Sequence, residues 1–176
     1  MRPISRVATL ALSGILAAGF TAGCGKSKPA AVTFSAPDAS FKAVFPVTPK
    51  RAVKTATPSG ATVDVISYEA ITNSEDVGVI FTHVATPPTG DALGTELSAA
   101  IDSQASSFSG TVSSKADVTV AGQPGKEAVI TRPGAVLRAR VVFLGDKFYA
   151  MFGGTSSLEA SHANYDRILS TFQPLS

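Results

Sequence analysis

Residues 136–152 read VLRARVVFLGDKFYAMF. Apolar and polar side chains alternate on either side of Gly145-Asp146. Alternation of period two marks strands, and a two-residue Gly-Asp loop marks a tight hairpin. Such a loop pairs Leu144 with Lys147 and Val142 with Tyr149. One face then carries Leu137, Ala139, Val141, Phe143, Phe148, Ala150 and Phe152, which makes it a core face. The other carries Arg138, Arg140, Val142, Tyr149 and Met151. A slip of one residue would invert both faces, so the pattern fixes the register as well as the hairpin.

Upstream, the turn Arg132-Pro133-Gly134-Ala135 pairs Thr131 with Val136. That register sets Glu127 opposite Arg140 and keeps Ala128 and Ile130 on the core face. Further strands are expected at Phe41 to Phe45, Arg51 to Thr57, Ala61 to Ile71, Val77 to Ala85 and Ala116 to Val120. The turn Pro58-Ser59-Gly60 follows the second of these. Between Asp91 and Phe108 the period changes: Leu93, Leu97, Ile101, Ala105 and Phe108 recur at helical spacing, with Thr89 or Asp91 as cap. A second helix is expected near the C-terminus. Ser156 and Glu159 form a capping box, Leu158, Ser161, Tyr165, Ile168, Leu169 and Phe172 form one face, and Pro174 ends it. Hairpin-connected strands with only two helices predict an α+β fold, an antiparallel β-sheet with helices packed on it, and not a βαβ nucleotide-binding fold.

The beginning of the chain reads differently. Arg2 and Arg6 precede an uncharged, mostly apolar stretch from Val7 to Phe20. Crossing a bilayer takes about 20 apolar residues, so this stretch fits the apolar region of an export signal. Small residues Thr21-Ala22-Gly23 lead to Cys24, the one cysteine of the chain. The expected division is a signal peptide over 1–23, a tether over 24–31 and a single α+β domain over 32–176. Gly25-Lys26-Ser27 looks like the end of a phosphate-binding loop, but residue 20, where that loop needs Gly, is Phe.

Charge sharpens the picture. The 176 residues hold 15 Lys and Arg against 13 Asp and Glu. Removing residues 1–23 takes away Arg2 and Arg6 and leaves a neutral domain, which argues against a nucleic-acid partner. Acidic side chains concentrate between residues 61 and 114, at Asp64, Glu69, Glu75, Asp76, Asp91, Glu96 and Asp102, with no Lys or Arg among them. Either this is a steering dipole or the acids neutralise adjacent basic strands. Arg138 and Arg140 with Tyr149 could contact an anionic group or a partner; the plainer reading is a solvated or helix-covered sheet face. A hairpin symmetric about residues 73 and 74 would set Asp64 opposite His83, half of a hydrolase triad without a recognisable nucleophile motif. Two isolated histidines, His83 and His162, make no zinc-ligand spacing.

Two resemblances follow from these residues. The small-residue run ending in Cys24 resembles a bacterial lipobox, although Thr21 stands where Leu is usual. It implies cleavage before Cys24, a thioether-linked diacylglycerol and an N-acyl group, with no other cofactor. The second rests on Phe41-x-x-Val44-Phe45-Pro46-x-x-Pro49, Val120-Ala121-Gly122-Gln123-Pro124-Gly125-Lys126-Glu127, Arg138-x-Arg140 leading to Gly145-Asp146-Lys147-Phe148-Tyr149, and Ile168-Leu169-Ser170-Thr171-Phe172. These resemble the small secreted or lipid-anchored bacterial domains of the PsbP-like fold. That resemblance implies an antiparallel sheet between helices and a binding or assembly role without a shared catalytic set. The expected function is a non-enzymatic, membrane-anchored envelope module, on the outer side of a bacterial membrane, that binds an envelope protein or lipid. The alternative is a carrier of an apolar ligand between sheet and helices.

Overall fold

The computed structural model describes residues 30–38, 40–57, 62–157 and 159–175. The signal segment, Cys24, the Pro58-Ser59-Gly60 turn and Leu158 lie outside them. The elements are β1 (Val32–Ser35), β2 (Phe41–Phe45), β3 (Lys50–Ala56), β4 (Val63–Ile71), β5 (Asp76–His83), α1 (Asp91–Phe108), β6 (Thr111–Val120), β7 (Gln123–Arg132), β8 (Ala135–Leu144), β9 (Lys147–Thr155), α2 (Ala163–Thr171) and β10 (Gln173–Pro174). Seven strands form one antiparallel sheet in the order β3-β4-β5-β9-β8-β7-β6. Strands β1, β2 and β10 form a smaller antiparallel sheet. The expected α+β architecture is what the chain adopts.

The registers read from the turns hold. Leu144 pairs with Lys147, Val142 with Tyr149, Thr131 with Val136 and Glu127 with Arg140. Their alternation divides the apolar side chains between the two faces of the large sheet. Ala128, Ile130, Leu137, Ala139, Val141, Phe148, Ala150 and Phe152 meet Leu97, Ile101 and Phe108 of α1. On the opposite face, Tyr68, Val79, Phe81, Val142, Tyr149 and Met151 meet Phe41 and Phe45 of β2 and Tyr165 and Ile168 of α2. The two clusters share no residue, so each face is a separate core, in which full burial of a large apolar side chain contributes about 1.5–3 kcal/mol.

The helices differ from the sequence reading at their ends. α1 covers the expected span, but its cap is Gly90 at φ 57, without a side-chain hydrogen bond. α2 starts at Ala163 and not beside the Ser156/Glu159 box. Its first amides take their acceptor from far away. Glu75, in the β4–β5 connection and 1% exposed, accepts from Asn164 N through Oε2 and from Tyr165 N through Oε1, both at 3.0 Å. Strand β6 starts at Thr111, ahead of the expected Ala116, with a bulge between Val112 and Ser114. The two-residue β10 had no pattern to announce it.

Gly153 lets α2 approach the sheet. A Cβ at Gly153 would lie 2.5 Å from Tyr165 Cβ. Gly94, inside α1, has nothing within 4 Å of its Cβ position. Gly153→Ala should therefore lower stability by about 1–3 kcal/mol. Gly94→Ala should raise it by about 0.5–1 kcal/mol through helix propensity. Urea unfolding of the two variants checks the opposite signs.

Candidate functional site

Arg138 and Arg140 alternate with core residues on β8, so both point to the α2 face. Glu127 on β7 lies between them. Its Oε1 accepts from Arg138 Nη2 at 3.1 Å, and its Oε2 accepts from Arg140 Nε at 2.8 Å and from Arg140 Nη2. Arg138 Nη1 donates to Asp166 of α2 at 3.1 Å, and the Arg138 guanidinium sits 5.1 Å from the centroid of the Tyr165 ring. All three bridging side chains are about three-quarters buried or more, with exposures of 27% for Arg138, 23% for Arg140 and 19% for Glu127. Burial pushes the Glu127 carboxyl up, but hydrogen bonds and charge from Arg140 and Arg138 outweigh it and hold it below its ordinary value. A carboxylate held by two guanidiniums in this way is a charge-assisted network, stronger than neutral hydrogen bonds.

Tyr149 shares that face of the sheet but serves the interior. It is fully buried, and its hydroxyl donates to the Ser40 carbonyl at 2.7 Å. Burial pushes its phenol up to about 12. The expected grouping of Arg138, Arg140 and Tyr149 is thus divided: the guanidiniums reach the surface, and the phenol closes the space under the small sheet. The tyrosine set beside Arg138 is Tyr165, whose buried hydroxyl has no hydrogen-bond partner.

The histidines are placed apart. The β4–β5 register follows the symmetry read about residues 73 and 74, with Val65 opposite Thr82. His83, however, directs Nδ1 to Asp146 Oδ2 at 3.1 Å, while Asp64 Oδ1 takes Thr55 Oγ1 at 3.4 Å. The β8–β9 loop that holds Asp146 reaches His83 because β9, and not β3, flanks this end of β5. The His83 and Asp146 side chains are 63% and 67% exposed, so the pair faces bulk water, unlike the enclosed base of a hydrolase triad. His162 puts Nε2 3.3 Å from Thr155 Oγ1, and burial, then the charge of Arg138, pushes its pKa down. Among the described residues, no group of three or more His, Cys, Asp or Glu is placed to hold a metal ion. A shallow, open depression of about 740 Å3 on α1 is lined by Gly90, Asp91, Thr95, Ser98, Ala99 and Asp102 among others, a surface of mixed polar and apolar character.

Two of the acids of residues 61–114 lie beside basic strand residues. Lys50 is paired with Glu69 in the β3–β4 ladder, and Lys115 of β6 donates to Asp102 at 2.7 Å. What the sequence reading missed is that Glu75 and Asp76 are buried acids and that Glu69 is partly buried, with its Oε1 enclosed. The signal was there, three carboxylates within eight residues at a strand connection, but alternation also allows them to point at solvent.

This architecture is a PsbP-like fold. The structure of the cyanobacterial PsbP protein CyanoP from Synechocystis sp. PCC 6803 superposes with a TM-score of 0.58 over 89% of this chain and 99% of that one, at 14% identity. Agreement at that identity is an agreement of folds. No family model and no curated protein matches the chain.

Removing one guanidinium from Glu127 leaves a mostly buried carboxylate with half its partners. Arg140→Ala should cost about 1–3 kcal/mol and raise the Glu127 pKa toward its ordinary value. Arg140→Lys should recover only part, because an ammonium lacks the planar fork. Carboxyl NMR titration with urea unfolding checks both.

Proposed function

We propose that this chain is a lipid-anchored cell-envelope module that binds or helps assemble a partner and catalyses no reaction. The observation that carries this reading is the position of Cys24, the sole cysteine, directly after an apolar stretch and three small residues. Two or three acyl chains there would hold the domain firmly, since each buried CH2 contributes about 0.8 kcal/mol. Lys26 and Lys28 in the tether would add attraction to anionic headgroups of about 1 kcal/mol each. The domain then stands on the extracytoplasmic side with its first residues at the membrane.

The PsbP-like fold supports a binding role through its architecture. Arg138 and Arg140 are the residues we assign to partner contact, because their guanidiniums, about a quarter exposed and fixed by Glu127 and Asp166, present a preset polar edge. Tyr149 lies on the same sheet face but under the small sheet, and the ring beside Arg138 is that of Tyr165. A carrier of apolar ligands is the second class of function, and it requires an enclosed apolar cavity; the depression on α1 is open and of mixed lining, and does not supply one there.

Membrane fractionation tests the anchor. The wild-type chain should sediment with membranes and leave them only in detergent, and Cys24→Ala should move to the soluble fraction. Cys24→Ala remaining tightly membrane-bound would refute the anchor. Cross-linking in intact cells should recover one specific partner, and repeated recovery of none would count against the binding role.

A further inference from the structure

A second set of enclosed acidic groups lies at the Ile71–Asp76 end of β4 and β5, away from the arginines. Glu75 turns to the α2 face. Asp76, the next residue, is 4% exposed, and its Oδ1 has no hydrogen-bond partner. Alternation puts Asp76 on the α1 face, together with Glu69 of β4. Glu69 pairs with Gly78 and Asp76 pairs with Ile71, so the two acids are diagonal neighbours in the ladder. Diagonal Cα atoms are about 7–8 Å apart, a gap that two carboxyl side chains can close. Glu69 Oε1 is also buried without a partner, as is Ser67 Oγ two residues along the same face.

The charged surroundings are uneven. β3 presents Lys50, opposite Glu69, and Lys54, which draws the Glu69 pKa down. β9 presents the uncharged Phe152 and Gly154 opposite Gly78 and Asp76. α1 carries Asp91, Glu96 and Asp102, with Asp102 turned to Lys115 of β6. On the opposite face are Glu75, Asp166 and Arg138. Two neighbouring carboxylates, one buried and one partly buried, each with an enclosed oxygen that lacks a partner, cannot both ionise cheaply, and a proton between them removes the repulsion and gives a bare oxygen a donor.

We propose that Glu69 and Asp76 are a proton-binding site that holds a shared proton in the folded domain, and that losing it loosens α2. Two connections carry the effect. Glu75, which caps α2, is joined to Asp76 through the backbone. Asp76 also pairs with Gly154, and the next residue, Thr155, bonds the Ser157 carbonyl and His162 just ahead of α2. Ionisation of the pair draws this corner toward water, and both supports of the helix start move with it.

Burial, then the charge of Asp76, pushes Glu69 up to about 7 despite Lys54, and burial pushes Asp76 up to about 6. The folded chain therefore binds more protons than the unfolded chain between the ordinary carboxyl values of 3.8 and 4.5 and these raised ones. This contribution to stability is complete below that window and is lost as pH rises through it.

Carboxyl NMR titration of the full chain, with hydrogen exchange of residues 163–171 corrected for intrinsic rate, tests the proposal. Midpoints of about 6 to 7 are expected, with α2 protection falling about tenfold from pH 5.5 to 8.5. Glu69→Gln and Asp76→Asn together should abolish that fall. Midpoints near 4, unchanged wild-type protection, or an equal fall in the double variant would overturn it. The wild-type titration needs no variant, so a variant that fails to fold leaves the test intact.

Discussion

A single carboxylate docks the C-terminal helix. Glu75 takes two of the free amides at the start of α2, across 89 and 90 residues of sequence, and Ser161 Oγ takes that of Ala163 at 3.3 Å. A nine-residue helix is too short to persist alone in water, so α2 exists because of what holds it. The negative charge also sits at the positive end of the helix dipole. Burial pushes the Glu75 pKa up against the pull of the Tyr165 and Asn164 amides. The charge is therefore costly to bury and is kept where two amides would otherwise be unpaired.

From this contact the second core follows. Once α2 is placed, Tyr165 fills the space over Gly153, and Arg138 lies on the Tyr165 ring while reaching Asp166. At the other end of the helix, Thr171 Oγ1 accepts from Val44 N of β2. The small sheet is thereby tied to α2, and Tyr149 ties it to the large sheet through Ser40. The surface proposed for partner contact, Arg138 with Arg140, is the rim of this helix-covered core.

The sequence was most legible where turns are short. Gly145-Asp146 and Arg132-Pro133-Gly134-Ala135 leave one register each, and the alternation of Leu137, Ala139 and Val141 confirms it. It was least legible where partners are remote. Ser156 and Glu159 form a plausible local cap, but the helix begins later, at a cap supplied by Glu75, which no local pattern encodes. Tyr149 shows a related limit. Period two assigned it correctly to the face of Arg138 and Arg140, but it cannot tell which part of that face another layer will cover. His83 found an aspartate, though at Asp146 and not Asp64, because strand order places the β8–β9 loop beside it.

The role given to Glu75 is tested most directly by the amide proton resonances of Asn164 and Tyr165. Glu75→Gln preserves size but replaces one acceptor with a donor aimed at an amide. Both resonances should move upfield and lose exchange protection, while the β7–β9 amides keep theirs. Unchanged shifts and protection at Asn164 and Tyr165 in that variant would show that α2 is held without Glu75 and would contradict that role.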